Sequence, residues 1–152
     1  MAKIINTNRR LIGGARLLSQ DYLVATVQGR AIEGLMTAST VTTAGVVTYT
    51  AAQLLGGLIL RNPNGAGRSD VLPTASSLAE FLVKPKAGTS FEFTVRNTAT
   101  AAETITMTVG TGATISGTAT IAQNNTKRFL VVLTNTTNSP AYTVYSLGTV
   151  VH

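Results

Sequence analysis

Gly88 to Thr98 reads G-T-S-F-E-F-T-V-R-N-T. Phe91, Phe93 and Val95 alternate with Glu92, Thr94 and Arg96. Successive side chains of a strand point to opposite faces, so this period of two marks a half-buried strand with the phenylalanines and the valine inward. Glu103 to Val109 (E-T-I-T-M-T-V) repeats the pattern, with Ile105, Met107 and Val109 expected inside and threonines outside. Gly117 to Ala122, Lys127 to Thr134 and Ala141 to Leu147 continue it. Phe129 to Leu133 (F-L-V-V-L) is apolar on both faces, which predicts an interior strand. Gly110, Gly112, Gly117, Asn124-Asn125 and Asn138-Ser139-Pro140 punctuate the series. Short strands separated at roughly 8–12 residues predict an all-β, mainly antiparallel sandwich or barrel.

Upstream of Gly88 the text is mixed. Tyr22 to Gln28, Val46 to Thr50 and Leu58 to Asn62 read as further strands. Together these give about eight strands, the number of a jelly roll. Thr50-x-x-Gln53 has capping-box spacing, in which hydroxyl and amide satisfy the exposed amides of a short helix ending at Gly56-Gly57. A second short helix is expected over A-S-S-L-A-E-F-L, capped by Thr74 or Ser77 and stopped by Pro85. Ser77 and Glu80 also have capping-box spacing, and Leu78, Phe81 and Leu82 share a face.

Composition narrows the function. Only 12% of the 152 residues are charged, about half the usual share of roughly 25%. Threonine, asparagine and serine replace the charges. Hydroxyls and amides cost less to desolvate than ions, so such a surface suits a subunit covered by neighbours. The net charge is +6, and Lys3, Arg9, Arg10, Arg16 and Arg30 face only Asp21 in the first thirty residues. Residues 1–20 therefore read as a basic, extended arm and residues 21–152 as one β domain. The arm has no aromatic interleaving, so it is expected to dock on acidic protein rather than nucleic acid. It also has no continuous apolar core of a signal peptide. Residues 34–60 are uncharged but scattered with threonines, so no membrane span is expected.

Catalytic chemistry has little to work with. There is no cysteine, and the one histidine is His152. No G-x-S-x-G elbow is present. The six carboxylates are Asp21, Glu33, Asp70, Glu80, Glu92 and Glu103, and none is paired by spacing. The expectation is no enzyme, no catalytic residue, no metal and no cofactor.

Arg61 to Ala75 (R-N-P-N-G-A-G-R-S-D-V-L-P-T-A) has the look of a phosphate loop. However, Gly65 and Gly67 are two apart, no lysine follows, and Pro73 precedes the helix. Pro63-Asn64-Gly65 reads instead as a turn, with Asp70 expected either to pair with Arg68 or to cap a turn. Arg61, Asn64, Arg68 and Asp70 become a candidate loop for contact between subunits.

The order I-L-R-N-P-N-G, D-V-L-P-T-A, short helix, G-T-S-F-E-F-T-V-R-N-T, G-T-G-A-T-I-S-G-T-A-T-I, K-R-F-L-V-V-L-T-N resembles small virion proteins. It is similar to the β-rich decoration (cement) and minor capsid proteins of tailed phages and large DNA viruses. The resemblance spans roughly residues 50–148 and rests mainly on L-P-T-A and G-T-S-F-E-F. It implies a jelly-roll or β-sandwich subunit seated on major capsid protein, made in the host cytoplasm and carried on the capsid exterior. It also implies a homo-oligomer, with a trimer favoured, and Lys3, Arg9, Arg10 and Arg16 gripping the shell. The alternatives are a vertex (penton) or fibre-base subunit, and a host-glycan-binding sandwich. The last is disfavoured by 5% aromatics and no tryptophan.

Overall fold

A computed structural model of the chain describes Thr26–Val27, Arg30–Ala31 and Met36–His152. The chain divides into two units, Met1–Leu35 and Met36–His152. In the first, strands β1 (Thr26–Val27) and β2 (Arg30–Ala31) form an antiparallel pair. The expected arm, with Lys3, Arg9, Arg10 and Arg16, lies outside the described residues, as does most of the expected strand Tyr22 to Gln28.

The second unit is strand-rich, with two sheets and two short helices. Its six-stranded sheet contains β3 (Thr37–Val41), β4 (Gly57–Arg61), β6 (Ser90–Asn97), β10 (Asn125–Asn135), β11 (Ala141–Val151) and β8 (Ala113–Ser116), neighbours in that order. A smaller sheet contains β5 (Arg68–Val71), β7 (Ile105–Thr108) and β9 (Thr120–Ile121). The expected strand at Val46 to Thr50 is reduced to a single bridge, Thr48 to Val71, on the outer side of β5.

The interior strand predicted from Phe129 to Leu133 is β10, paired on both sides by β6 and β11. The large sheet is mixed rather than uniformly antiparallel. β3–β4, β4–β6, β11–β8 and β5–β7 are parallel, beside antiparallel β6–β10, β10–β11 and β7–β9. Parallel neighbours need long crossovers rather than hairpins. Three of these crossovers contain a helix: α1 (Ala51–Leu55) lies between β3 and β4, and α2 (Ala75–Phe81) lies between β4 and β6 and between β5 and β7, whereas β9 and β10 lie between β8 and β11.

Both helices start as the sequence predicts. Thr50 accepts from the Gln53 amide, and Gln53 accepts in return from the Thr50 amide. Thr74 caps α2 by accepting from Ser77. Glu80 is therefore not the far side of a capping box, because Ser77 already occupies the third helical position. α2 ends at Phe81, before Pro85. Leu78 is buried, whereas Phe81 is 55% exposed, so the expected apolar face is narrower than its spacing suggested.

One core joins the layers. Ile59, Phe93, Val95, Phe129, Val131, Leu133, Tyr142 and Val144 come from the large sheet. Ile105, Met107 and Ile121 come from the small one, and Leu54 and Leu78 from the helices. Each such side chain contributes about 1.5–3 kcal/mol on burial. Phe93 and Phe129 sit opposite each other on β6 and β10 with stacked rings 5.1 Å apart. Val109 falls just past β7 and is exposed, so the inward run there stops at Met107.

Candidate functional site

The corner at Arg61 to Ala75 is built from the end of β4. Ile59 and Arg61 share the inward face of that strand, so Arg61 enters the protein. Pro63, Asn64 and Gly65 then reverse the chain; Asn64 (φ 53°) and Gly65 (φ 103°) both take the left-handed region that Asn-Gly tolerates best. β5 returns Asp70 to the same spot. Arg61 Nε lies 2.7 Å from Asp70 Oδ2 and Nη2 lies 3.2 Å from Oδ1, a two-point pairing with both side chains fully buried.

The remaining guanidinium hydrogens reach backbone. Nη1 donates to Thr43 O (2.8 Å) and Asn62 O (2.7 Å), and Nη2 donates to Gly45 O (2.6 Å). All five donors of the fork are thereby used. Asp70 also accepts from the Val47 amide (3.1 Å) and the Tyr49 hydroxyl (2.9 Å). Burial first, then the Asp70 charge, raises the Tyr49 pKa far above its ordinary value, with Arg61 opposing. The network staples Thr43 to Tyr49 onto β4 and β5. It is a structural device.

This changes the expected contact loop. Asp70 pairs with Arg61, not with Arg68, because β5 points its side chain inward. Arg61 and Asp70 are thus out of reach of any neighbour. Asn64 remains exposed at the turn, its amide donating to Asn62 Oδ1, and half-buried Arg68 donates weakly to Pro63 O (3.4 Å).

Two buried polar residues were not singled out from sequence. Asn97 follows Phe93 and Val95 on the inward face of β6. Its amide donates to Glu103 O (2.8 Å) and Ile121 O (3.1 Å) and accepts from Ala99, tying the two sheets together. Lys127 is in phase with Phe129 and Val131 on β10. Its ammonium donates to Thr118 O (2.6 Å) and Thr120 O (3.1 Å), with no carboxylate against it among the described residues. Burial lowers its pKa. The signal for both was a polar residue in register with an apolar face.

Among the described residues the other carboxylates do not converge. Glu103 Oε1 accepts from the Gly65 amide (2.9 Å), while its Oε2 is buried without a partner. Glu92 pairs with Arg128 at 2.5 Å on the solvent face of the large sheet. Among the described residues no three His, Cys, Asp or Glu side chains are grouped to hold a metal ion. No described helix is long and apolar enough to cross a membrane.

What the described surface offers is contact area. A shallow apolar groove of about 370 Å³ lies between the starts of α1 and α2, lined by Tyr49, Ala51, Pro73 and Phe81 among others. A second, of about 240 Å³, lies on the outer face of the large sheet beside Thr94, Arg128, Leu147 and Val150. Threonines on outward faces hydrogen-bond one another across strands: Thr114 with Thr143 (3.0 Å) and Thr106 with Thr120 (3.4 Å). No family model, curated protein or solved structure matches the chain.

Proposed function

We propose that the chain is a non-enzymatic virion structural protein, a decoration or cement subunit that binds the shell of major capsid protein from outside. The observation that carries this reading is the pairing of surface threonines across strands in a domain whose best-matched ion pair is buried. Hydroxyls already bonded to each other lose little when water is displaced, whereas ions lose a great deal. Such a face favours being covered over a broad area. In this reading the β domain sits on the shell in more than one copy, a trimer in the simplest arrangement, and its strands complete a jelly-roll-like body. The basic arm, through Lys3, Arg9, Arg10 and Arg16, makes charge-assisted contacts to acidic shell surface.

The test is retention on particles. Removing residues 1–20 is expected to release the protein from salt-washed or heated particles while leaving the β domain folded. Unchanged retention would overturn the arm's role. Copy number then separates the stations, hundreds per particle for decoration and tens for a vertex subunit.

A further inference from the structure

No asparagine of the chain except Asn64 is followed by glycine. The Asn-Gly pair has a chemistry of its own. The amide nitrogen after an asparagine can close on the side-chain carbonyl carbon, expelling ammonia and leaving a five-membered imide. Glycine hinders the closure least, because it has no Cβ. The reacting atoms belong to adjacent residues, so the encounter is intramolecular and needs no second molecule to be brought up.

The fold sets a carboxylate on the nitrogen that must react. β5 and β7 run parallel with Arg68 opposite Ile105, and the Arg68 amide donates to Thr104 O (2.9 Å). A Cβ on Gly67 would lie 3.1 Å from Thr104 Oγ1, so glycine lets the turn before β5 lie close against the entry to β7. Glu103 thereby meets Gly65. Its Oε1 lies 2.9 Å from the Gly65 amide nitrogen, within the reach at which a general base takes a proton. Its Oε2 is buried with no donor among the described residues, so no second partner draws the carboxylate off that amide. Asn64 and Gly65 are themselves exposed, and nothing lies within 4 Å of where a Gly65 Cβ would stand. Water has access to the bond.

We infer that Asn64-Gly65 is a self-modification site with Glu103 as its general base. Glu103 takes the Gly65 amide proton as the nitrogen bonds to Asn64 Cγ. The bond from Cγ to the side-chain nitrogen breaks, and that nitrogen leaves as ammonia with the proton that Glu103 returns. Water then opens the imide at either carbonyl, giving aspartate or isoaspartate at position 64. The sum is asparagine and water to aspartate and ammonia, with nothing oxidised or reduced. The product alters the corner between β4 and β5. A new carboxylate stands one residue from the amide that Glu103 holds, and the like charges repel. The isoaspartate form also routes the backbone through the former side chain and lengthens the corner. The inference concerns the chain's own chemistry and does not rest on the shell.

The experiment incubates the folded full chain at neutral pH. Residue 64 is followed by peptide mapping of the mass change and by enzymatic methylation of isoaspartate. Conversion at Asn64 ahead of every other asparagine is expected. Glu103→Gln keeps an oxygen that accepts from the Gly65 amide but supplies no base. It is expected to slow conversion by about tenfold or more, with an unchanged far-UV circular dichroism spectrum. In concentrated urea, where Glu103 is no longer held at the turn, both chains are expected to convert at one rate. If the glutamine variant does not fold, Glu103→Asp, which keeps the charge but shortens the reach, is read in its place with the same expectation. Hydroxylamine intercepts the imide and is expected to cut the folded wild-type chain between residues 64 and 65. A folded chain that neither converts at Asn64 nor is cut there overturns the inference. A variant that converts as fast as wild type or faster overturns the role of Glu103, as does a rate difference that persists in urea.

Discussion

Arg61 and Asp70 face each other at 2.7 Å with neither side chain exposed to solvent. The pair closes a network that runs from Thr43 to Asp70 and holds an irregular segment against two strands. Removing one partner strands the other as a buried charge, at a cost of about 3–5 kcal/mol. Arg61→Met and Asp70→Asn are each expected to lower the urea midpoint of unfolding severely. The double variant Arg61→Met/Asp70→Leu is expected to recover part of that loss. Equal additivity of the two single effects would show that the pair is not coupled.

Tyr49→Phe deletes one hydrogen bond to the same carboxylate. A bond to a charged acceptor contributes roughly 1.5–3 kcal/mol, so the variant should fold but unfold at lower denaturant. A null result would place the weight of the network on Arg61 alone.

The tyrosines set an alkaline limit. Burial raises the pKa of Tyr49 and Tyr142 well above the ordinary value of 10.0, and the Tyr142 hydroxyl donates to Pro73 O at 2.6 Å. Above pH 10 the unfolded chain releases these protons while the folded chain keeps them. Stability is therefore present below pH 10 and falls as pH rises beyond it. Tyr49→Phe/Tyr142→Phe should flatten this fall in a series of denaturation curves.

Lys127 works in the opposite sense. Its folded pKa lies below 10.5, so between the folded value and 10.5 the unfolded chain binds the extra proton and stability rises with pH. Lys127→Met removes the cost of burying an ammonium but leaves two carbonyls without a donor. Its expected signature is loss of that rise, whatever the change at neutral pH. A rise that persists in the variant would assign it to another group.

Gly112 is a close approach that a side chain would block. It has φ 80°, and an added Cβ would lie 2.6 Å from Pro140 O. Gly112→Ala should destabilise by more than the roughly 1 kcal/mol that a compatible glycine site changes on substitution, read by thermal unfolding.

The period-two pattern made most strands legible before their arrangement was known. Phe93, Val95, Phe129 and Val131 are inside because alternation put them there. Alternation says nothing about which strand lies beside which, or in what direction. Parallel pairing of β4 with β6 across the whole of α2 was therefore invisible in the text. The same limit hid the partner of Asp70. Sequence proximity favoured Arg68, but β5 turns residues 68 and 70 to different uses, and the partner came from the neighbouring sheet. Asn97 and Lys127 were legible in principle, as polar residues in phase with apolar faces. The hold of Glu103 on the Gly65 amide was not, because it depends on β5 lying beside β7.

The most direct test of the proposed decoration role is mass spectrometric quantification of this chain in purified virus particles from the host culture in which it is expressed, joined to imaging of the subunit's position. The account predicts hundreds of copies on the outer surface of the shell, with residues 1–20 protected from protease only while bound. Absence from washed particles, or a location inside the shell, would contradict it.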